Sequence, residues 1–151
     1  MSKKVLVTGI SGFIGLYCAK ELLDKGYKVI GTVRNSAKRE EVINTFKKND
    51  INLKNLTFEI LELTSNNGWD KAIQDCEYVM HVASPFRIAN PKNENDMISP
   101  AVEGTRRVLE ASQKAGIKRV VLTSSIVSMM SSIRRGPVSY THLTLPTTYH
   151  V

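Results

Sequence analysis

The stretch that most constrains this chain runs from residue 4 to residue 25. Val5-Leu6-Val7-Thr8 is short, apolar and β-branched, which predicts a buried strand over 4–8. Glycines follow at 9, 12 and 15. Residues 13–25 then carry apolar groups at helical spacing: Phe13, Ile14, Leu16, Tyr17, Ala19, Leu22 and Leu23. A strand, a glycine-spaced turn and a helix in that order make a cradle for a dinucleotide pyrophosphate. Gly9 permits the tight turn, Gly12 lets the backbone approach the phosphates, and Gly15 lets the helix pack closely. The phosphates then meet the positive end of the helix. Ser11, Phe13 and Ile14 complete the turn and the first helical turn, and stand with the glycines as candidate cofactor contacts. Gly26 suits the left-handed position beyond the helix end.

A strand of this kind needs parallel partners. Val29 to Val33 is a second apolar strand. Residues 37–48 read as a charged helix with Val42, Ile43 and Phe46 inward. A third strand is expected over 56–63, a short helix over 68–74 and a fourth strand over 78–83. Residues 84–96 read as a loop rich in Asn and Pro. A long helix is expected from Ser99, with Pro100 at its first position, to Gly116, and a fifth strand over 119–123. Strands alternating with helices predict a doubly wound α/β fold, a parallel Rossmann sheet covered on both faces and broken off after about the fifth strand.

Composition narrows the partners. At 151 residues the chain is one domain long. Its net charge of +7 comes from scattered Lys and Arg with no basic run between aromatics, so no nucleic-acid partner is expected. No apolar run reaches the roughly 20 residues that cross a bilayer. The chain enters its first strand with no room for a signal segment, which predicts a cytoplasmic location. Cys18 and Cys76 lack metal-ligand spacing, so two reduced thiols and no metal site are expected. The oligomeric state is not legible.

The end of the second strand separates the two nicotinamide dinucleotides. A carboxylate there would bond a free ribose 2′-hydroxyl. The sequence reads Thr32-Val33-Arg34-Asn35 instead. Arg34 suits a 2′-phosphate, with Lys38 or Arg39 assisting, so NADP is favoured over NAD. Glu62-Leu63 ends the third strand where the adenine edge would lie. Glu62 either accepts from the adenine amino group or is a solvated strand end.

Thr8-Gly9-Ile10-Ser11-Gly12-Phe13-Ile14-Gly15 resembles the fingerprint of the extended short-chain dehydrogenase/reductases, the NAD-dependent epimerase/dehydratase superfamily. His81-Val82-Ala83-Ser84-Pro85-Phe86 and Gly31-Thr32-Val33-Arg34 are similar to its dihydroflavonol reductase and cinnamoyl-CoA reductase branch. Val102-Glu103-Gly104-Thr105 and Val120-Val121-Leu122-Thr123-Ser124-Ser125 match that branch's fourth helix and fifth strand. The resemblance covers about residues 3–130. It implies an NADP-dependent oxidoreductase acting on a small aldehyde or ketone, with Val82, Ala83, Ser84 and Thr123 beside the cofactor. It also implies Ser125 as the catalytic serine on the substrate carbonyl oxygen. A sugar-nucleotide epimerase or dehydratase of the same superfamily, and a non-catalytic dinucleotide sensor, are the alternatives.

By the same resemblance a Tyr followed four residues later by Lys should supply the proton. Tyr140 is followed by Thr144, so no Tyr or Lys is assigned. The chain is therefore expected to bind the dinucleotide weakly and to turn nothing over. Residues 138–151 contain no Lys, Arg, Asp or Glu, in a chain that is 23% charged. Val138 to Thr147 is also what GTC TCT TAT ACA CAT CTG ACG CTG CCG ACG encodes, a transposase adapter used in sequencing libraries. A native cofactor domain over 1–137 and a non-native tail over 138–151 are expected.

Overall fold

Aliphatic and β-branched residues fill the strand segments, as a parallel sheet covered on both faces requires. The computed structural model describes residues 3–85 and 93–126. Among them, β1 (Lys4–Thr8), β2 (Lys28–Val33), β3 (Leu56–Ile60), β4 (Tyr78–His81) and β5 (Arg119–Leu122) alternate with α1 (Phe13–Asp24), α2 (Ser36–Lys48), α3 (Trp69–Ile73) and α4 (Asn95–Lys114). The sheet order is β3-β2-β1-β4-β5 and every pairing is parallel. The order reverses between β1 and β4, so the chain is doubly wound as the alternation predicts.

The pleat of β1 divides the core. Val5 and Val7 point into a cluster with Ala19 of α1 and Val42 and Phe46 of α2. Leu6 points the other way, into a cluster with Trp69 and Ile73 of α3 and Val108 and Ala111 of α4. In α1 the fully buried residues are Gly15 and Ala19, because that helix lies too near the sheet for anything larger. Phe13 and Tyr17 instead stack on the outer face, with ring centroids 5.0 Å apart.

Several boundaries differ from the sequence reading. β3 stops at Ile60 because β2 stops at Val33. Leu61 N–H still reaches the Val33 carbonyl at 2.9 Å, and the chain then turns, with Ser65 N–H on Glu62 O at 3.1 Å. β4 stops at His81 because the next two N–H groups leave the ladder for a side chain. α4 begins four residues before Ser99, and Pro100 lies inside it. The N-cap is Glu94, which has no side-chain cap, and Asn93 turns the chain just before it, its Oδ1 accepting from Asn95 N–H at 3.0 Å. The Glu94 carbonyl then takes both Met97 and Ile98 N–H at 3.0 Å, so the helix is under way before the proline. Pro100 forfeits only the bond its own N–H would make one turn back.

Among the described residues β5 pairs with β4 alone, and Val121 and Leu122 are about half exposed. No helix there is long and apolar enough to cross a membrane. Tyr140, Thr144 and the whole of 138–151 lie outside the described residues.

Candidate functional site

The carboxyl ends of β1, β2 and β4 open onto a cleft of about 490 Å³. That is within the span of small-molecule sites, about 300–1,000 Å³. Its floor is the glycine turn. Gly9 has φ +66°, and a Cβ there would lie 2.9 Å from the Ala83 Cα. Gly12 N–H closes the turn onto the Gly9 carbonyl at 3.0 Å. A Cβ on Gly15 would stand 2.4 Å from the Gly9 oxygen, so this glycine lets α1 close on the turn itself. Thr32 on β2 holds the turn from one side. Its hydroxyl accepts Gly9 N–H at 3.2 Å and its carbonyl accepts Ile10 N–H at 3.2 Å.

The N-cap of α1 is Gly12, with no side-chain cap and no acidic residue in the first turn of the helix. First-turn N–H groups have no partner within a helix, and here no side chain answers them. Gly12, the residue that caps this positive helix end, lines the cleft floor, an arrangement that fits a diphosphate.

The opposite wall is fastened by Thr8. Its hydroxyl oxygen accepts Val82 N–H and Ala83 N–H, each at 3.0 Å. Both lone pairs are then used, so its proton goes to His81 Nδ1, 2.8 Å away. That makes His81 the neutral tautomer with its proton on Nε2. Burial pushes the His81 pKa down from its ordinary value, which keeps the ring neutral. Among the described residues Nε2 has no hydrogen-bond partner.

At the far end of the cleft Arg34 stands across from Glu62 and Leu63. It is the single cation among the lining residues. Trp69 fixes that end, its indole N–H pointing at Ser65 O (3.0 Å) and Glu62 O (3.3 Å).

The structure brings most of the sequence-read residues to one place. Gly9, Ser11, Gly12, Arg34, Glu62, Leu63, Val82, Ala83 and Ser84 all line the cleft. Gly15 is buried behind it. Phe13 and Ile14 are exposed on the first turn of α1, outside the lining. Lys38 is not brought in either. Its ammonium bonds Glu41 at 2.6 Å, one turn along α2, while its backbone N–H bonds the capping Asn35. Thr123 bonds the His81 carbonyl through its N–H at 3.1 Å, beyond the lining, and Ser125 is exposed nearby.

Sequence reasoning assigned no role to Thr8, Thr32 or Trp69, nor to the first turns of α4, where Asp96, Met97 and Pro100 line the cleft. The two threonines had a legible signal, a hydroxyl as the last or next-to-last residue of a strand beside the turn. The α4 residues have none, because Pro100 is the strongest local signal for a helix start and they precede or coincide with it. Among the described residues no three His, Cys, Asp or Glu side chains group to hold a metal.

Comparison with known proteins bears on the family and the fold. The sequence model of the NAD dependent epimerase/dehydratase family matches residues 5–150. Tetraketide alpha-pyrone reductase 1 of Arabidopsis thaliana is 39% identical over 123 residues, 81% of this chain and 37% of its own length. The crystal structure of yeast methylglyoxal/isovaleraldehyde reductase Gre2 complexed with NADPH superposes with a TM-score of 0.70 at 33% identity, over 81% of this chain and 37% of that one. Gre2 from Candida albicans in complex with NADPH gives a TM-score of 0.70 at 38% identity, over 82% and 37%. The chain therefore spans little more than a third of the length of each.

Proposed function

The chain belongs to the NAD dependent epimerase/dehydratase family, and on that footing we propose that it is the cofactor-binding part of an NADPH-dependent reductase of small aldehydes or ketones. The observation that carries this reading is the cleft itself. It has an uncapped helix end at its floor and Arg34 as the single cation among its lining residues. The NADPH held by both Gre2 structures supports the choice of dinucleotide.

NADPH, when bound, supplies a hydride to the carbonyl carbon of the substrate. The remaining work belongs to the chain. The α1 N-terminus and the Gly9–Gly12 backbone neutralise the pyrophosphate. Arg34 pairs with the 2′-phosphate, bidentate where its fork allows. Glu62 and Leu63 border the adenine, and Ala83 and Ser84 border the nicotinamide ribose. Ser125 bonds the carbonyl oxygen in the parent protein, next to a proton donor that this sequence does not contain. The chain alone is thus a binder without turnover. Two free thiols, Cys18 and Cys76, suit a reducing compartment, and we place the parent in the cytoplasm.

Fluorescence titration of the 151-residue chain with NADPH and NADH tests the reading. Arg34→Ala is expected to weaken NADPH binding about 10- to 100-fold, and NADH binding far less. Equal losses for both would remove the assignment. Carbonyl-dependent NADPH oxidation by the chain would overturn the claim that it turns nothing over. For the tail, the absence of charge and the codon string support a foreign origin. The family match runs to residue 150, so the boundary at Pro137 rests on those two features. Native genomic DNA encoding Val138 to Val151 would refute it.

A further inference from the structure

The cleft wall at Glu62 and Leu63 belongs to no regular element. It is the turn that follows β3, exposed at Glu62 and half-buried at Leu63. A turn of that kind needs to be held if it is to border a ligand. Three groups behind it do so. Trp69 bonds its carbonyls from α3. Gly104 of α4 brings that helix so near that a Cβ there would lie 2.9 Å from the Leu63 Cβ. One turn further along α4, Arg107 reaches across. Its Nη1 donates to the Leu63 carbonyl at 2.8 Å and its Nε to the side chain of Asn66.

Arg107 differs from the other arginine and lysine side chains on this helix. Arg106 and Lys114 are well exposed, with side-chain exposures of 57% and 71%, whereas Arg107 is at 18%. Its nearest carboxylate, Glu103, is 4.0 Å away, while Glu103 sits 2.6 Å from Arg106. The guanidinium thus makes its short contacts with the turn, and its ion pair along the helix is the long one. The same helix lines the cleft with Asp96, Met97 and Pro100. A rigid α4 therefore joins the lining at its own first turns to the wall that Arg107 grips.

We propose that Arg107 is a positioning residue that sets the adenine-side wall of the cleft, acting through the Leu63 carbonyl and Asn66 without touching the ligand. This rests on the assignment of Glu62–Leu63 to the adenine end. A fork that holds two acceptors at once fixes the turn in position and in tilt, which a single donor would not. Loss of the grip frees the wall and should be felt only by ligands that carry adenine.

The test uses the whole chain, with Arg107→Met and Arg107→Lys, and three probes: NADPH, 2′,5′-ADP and reduced nicotinamide mononucleotide. Arg107→Met is expected to weaken NADPH and 2′,5′-ADP about tenfold each. The mononucleotide should bind as before. Arg107→Lys, which keeps one donor, is expected to recover part of that loss. A merely structural role would weaken all three probes alike by lowering the folded fraction, and that result overturns the proposal. Unchanged 2′,5′-ADP affinity in Arg107→Met overturns it too. If the wild-type chain binds neither NADPH nor 2′,5′-ADP, the dinucleotide reading falls first and this inference falls with it. Should Arg107→Met fail to fold, Asn66→Ala removes one of the two acceptors. It must then weaken 2′,5′-ADP and spare the mononucleotide, or the proposal is wrong.

Discussion

Replacing Thr8 by Val is the sharpest test of how the cleft is held. The two side chains are nearly the same shape and both suit a strand, so packing and propensity change little. What changes is one hydroxyl that is fully buried and makes three hydrogen bonds, to Val82 N–H, Ala83 N–H and His81 Nδ1. Each such bond contributes roughly 0.5–1.5 kcal/mol net, and each buried group left without a partner costs about 1–3 kcal/mol. Val82 and Ala83 are only partly buried, so water can answer some of the loss at their N–H groups. His81 is 1% exposed and cannot be rescued that way. The expected destabilisation is therefore about 2–4 kcal/mol, at the low end of three bonds fully lost. For a domain of this size that lowers Tm by roughly 10 °C. Urea unfolding followed by far-UV circular dichroism measures it directly. The midpoint should fall while the slope stays the same, and Thr8→Ser should return most of the difference. A Thr8→Val midpoint within about 0.5 kcal/mol of wild type would refute the claim that this hydroxyl ties β1 to the end of β4.

Gly15→Ala places a Cβ 2.4 Å from the Gly9 carbonyl oxygen, a backbone atom that cannot swing aside. It is expected to cost about 1–3 kcal/mol and to abolish detectable NADPH binding, and a variant that binds normally would show that α1 can back away. His81 should make stability depend on pH. Its folded pKa is lowered by burial, so the unfolded chain takes up the proton first and stability falls as pH drops below about 6.5. Below that pH the slope should steepen toward a one-proton limit of about 1.4 kcal/mol per pH unit, and His81→Gln should flatten it. An unchanged slope in that variant would move the effect to another group.

Much of the fold was legible because its signal is local. The run Val5–Thr8, the glycines at 9, 12 and 15 and the charged stretch 37–48 each declare their element within a dozen residues. The strand–helix alternation then leaves a parallel sheet as the natural outcome. The boundaries that differ from the sequence reading depend on partners far away in sequence. β4 ends at His81 because Thr8, more than 70 positions earlier, takes the next two N–H groups. α4 starts at Asn95, where Asn93 accepts the Asn95 and Asp96 N–H groups, although Pro100 is the louder local signal for a helix start. Periodicity also misread Phe13, Ile14 and Tyr17. It counts apolar residues at helical spacing without knowing that α1 lies too close to the sheet to bury them.

The candidate site divides in the same way. Its cleft-lining residues sit on short motifs: the turn at 9–12, Arg34 after β2, and Glu62–Leu63 after β3. What holds those motifs in place is carried by single residues on other elements. Thr32 holds the turn from β2, Thr8 holds Ala83 from β1, and Trp69 and Arg107 hold the Glu62–Leu63 turn from α3 and α4. None of these supporting bonds is repeated, so no periodicity reveals them. Each spans two elements that meet only once the sheet has formed. The cradle is therefore an outcome of the sheet as much as of its glycines. A sequence carrying the same three glycines beside a different fourth strand would have the turn but no wall for it to face.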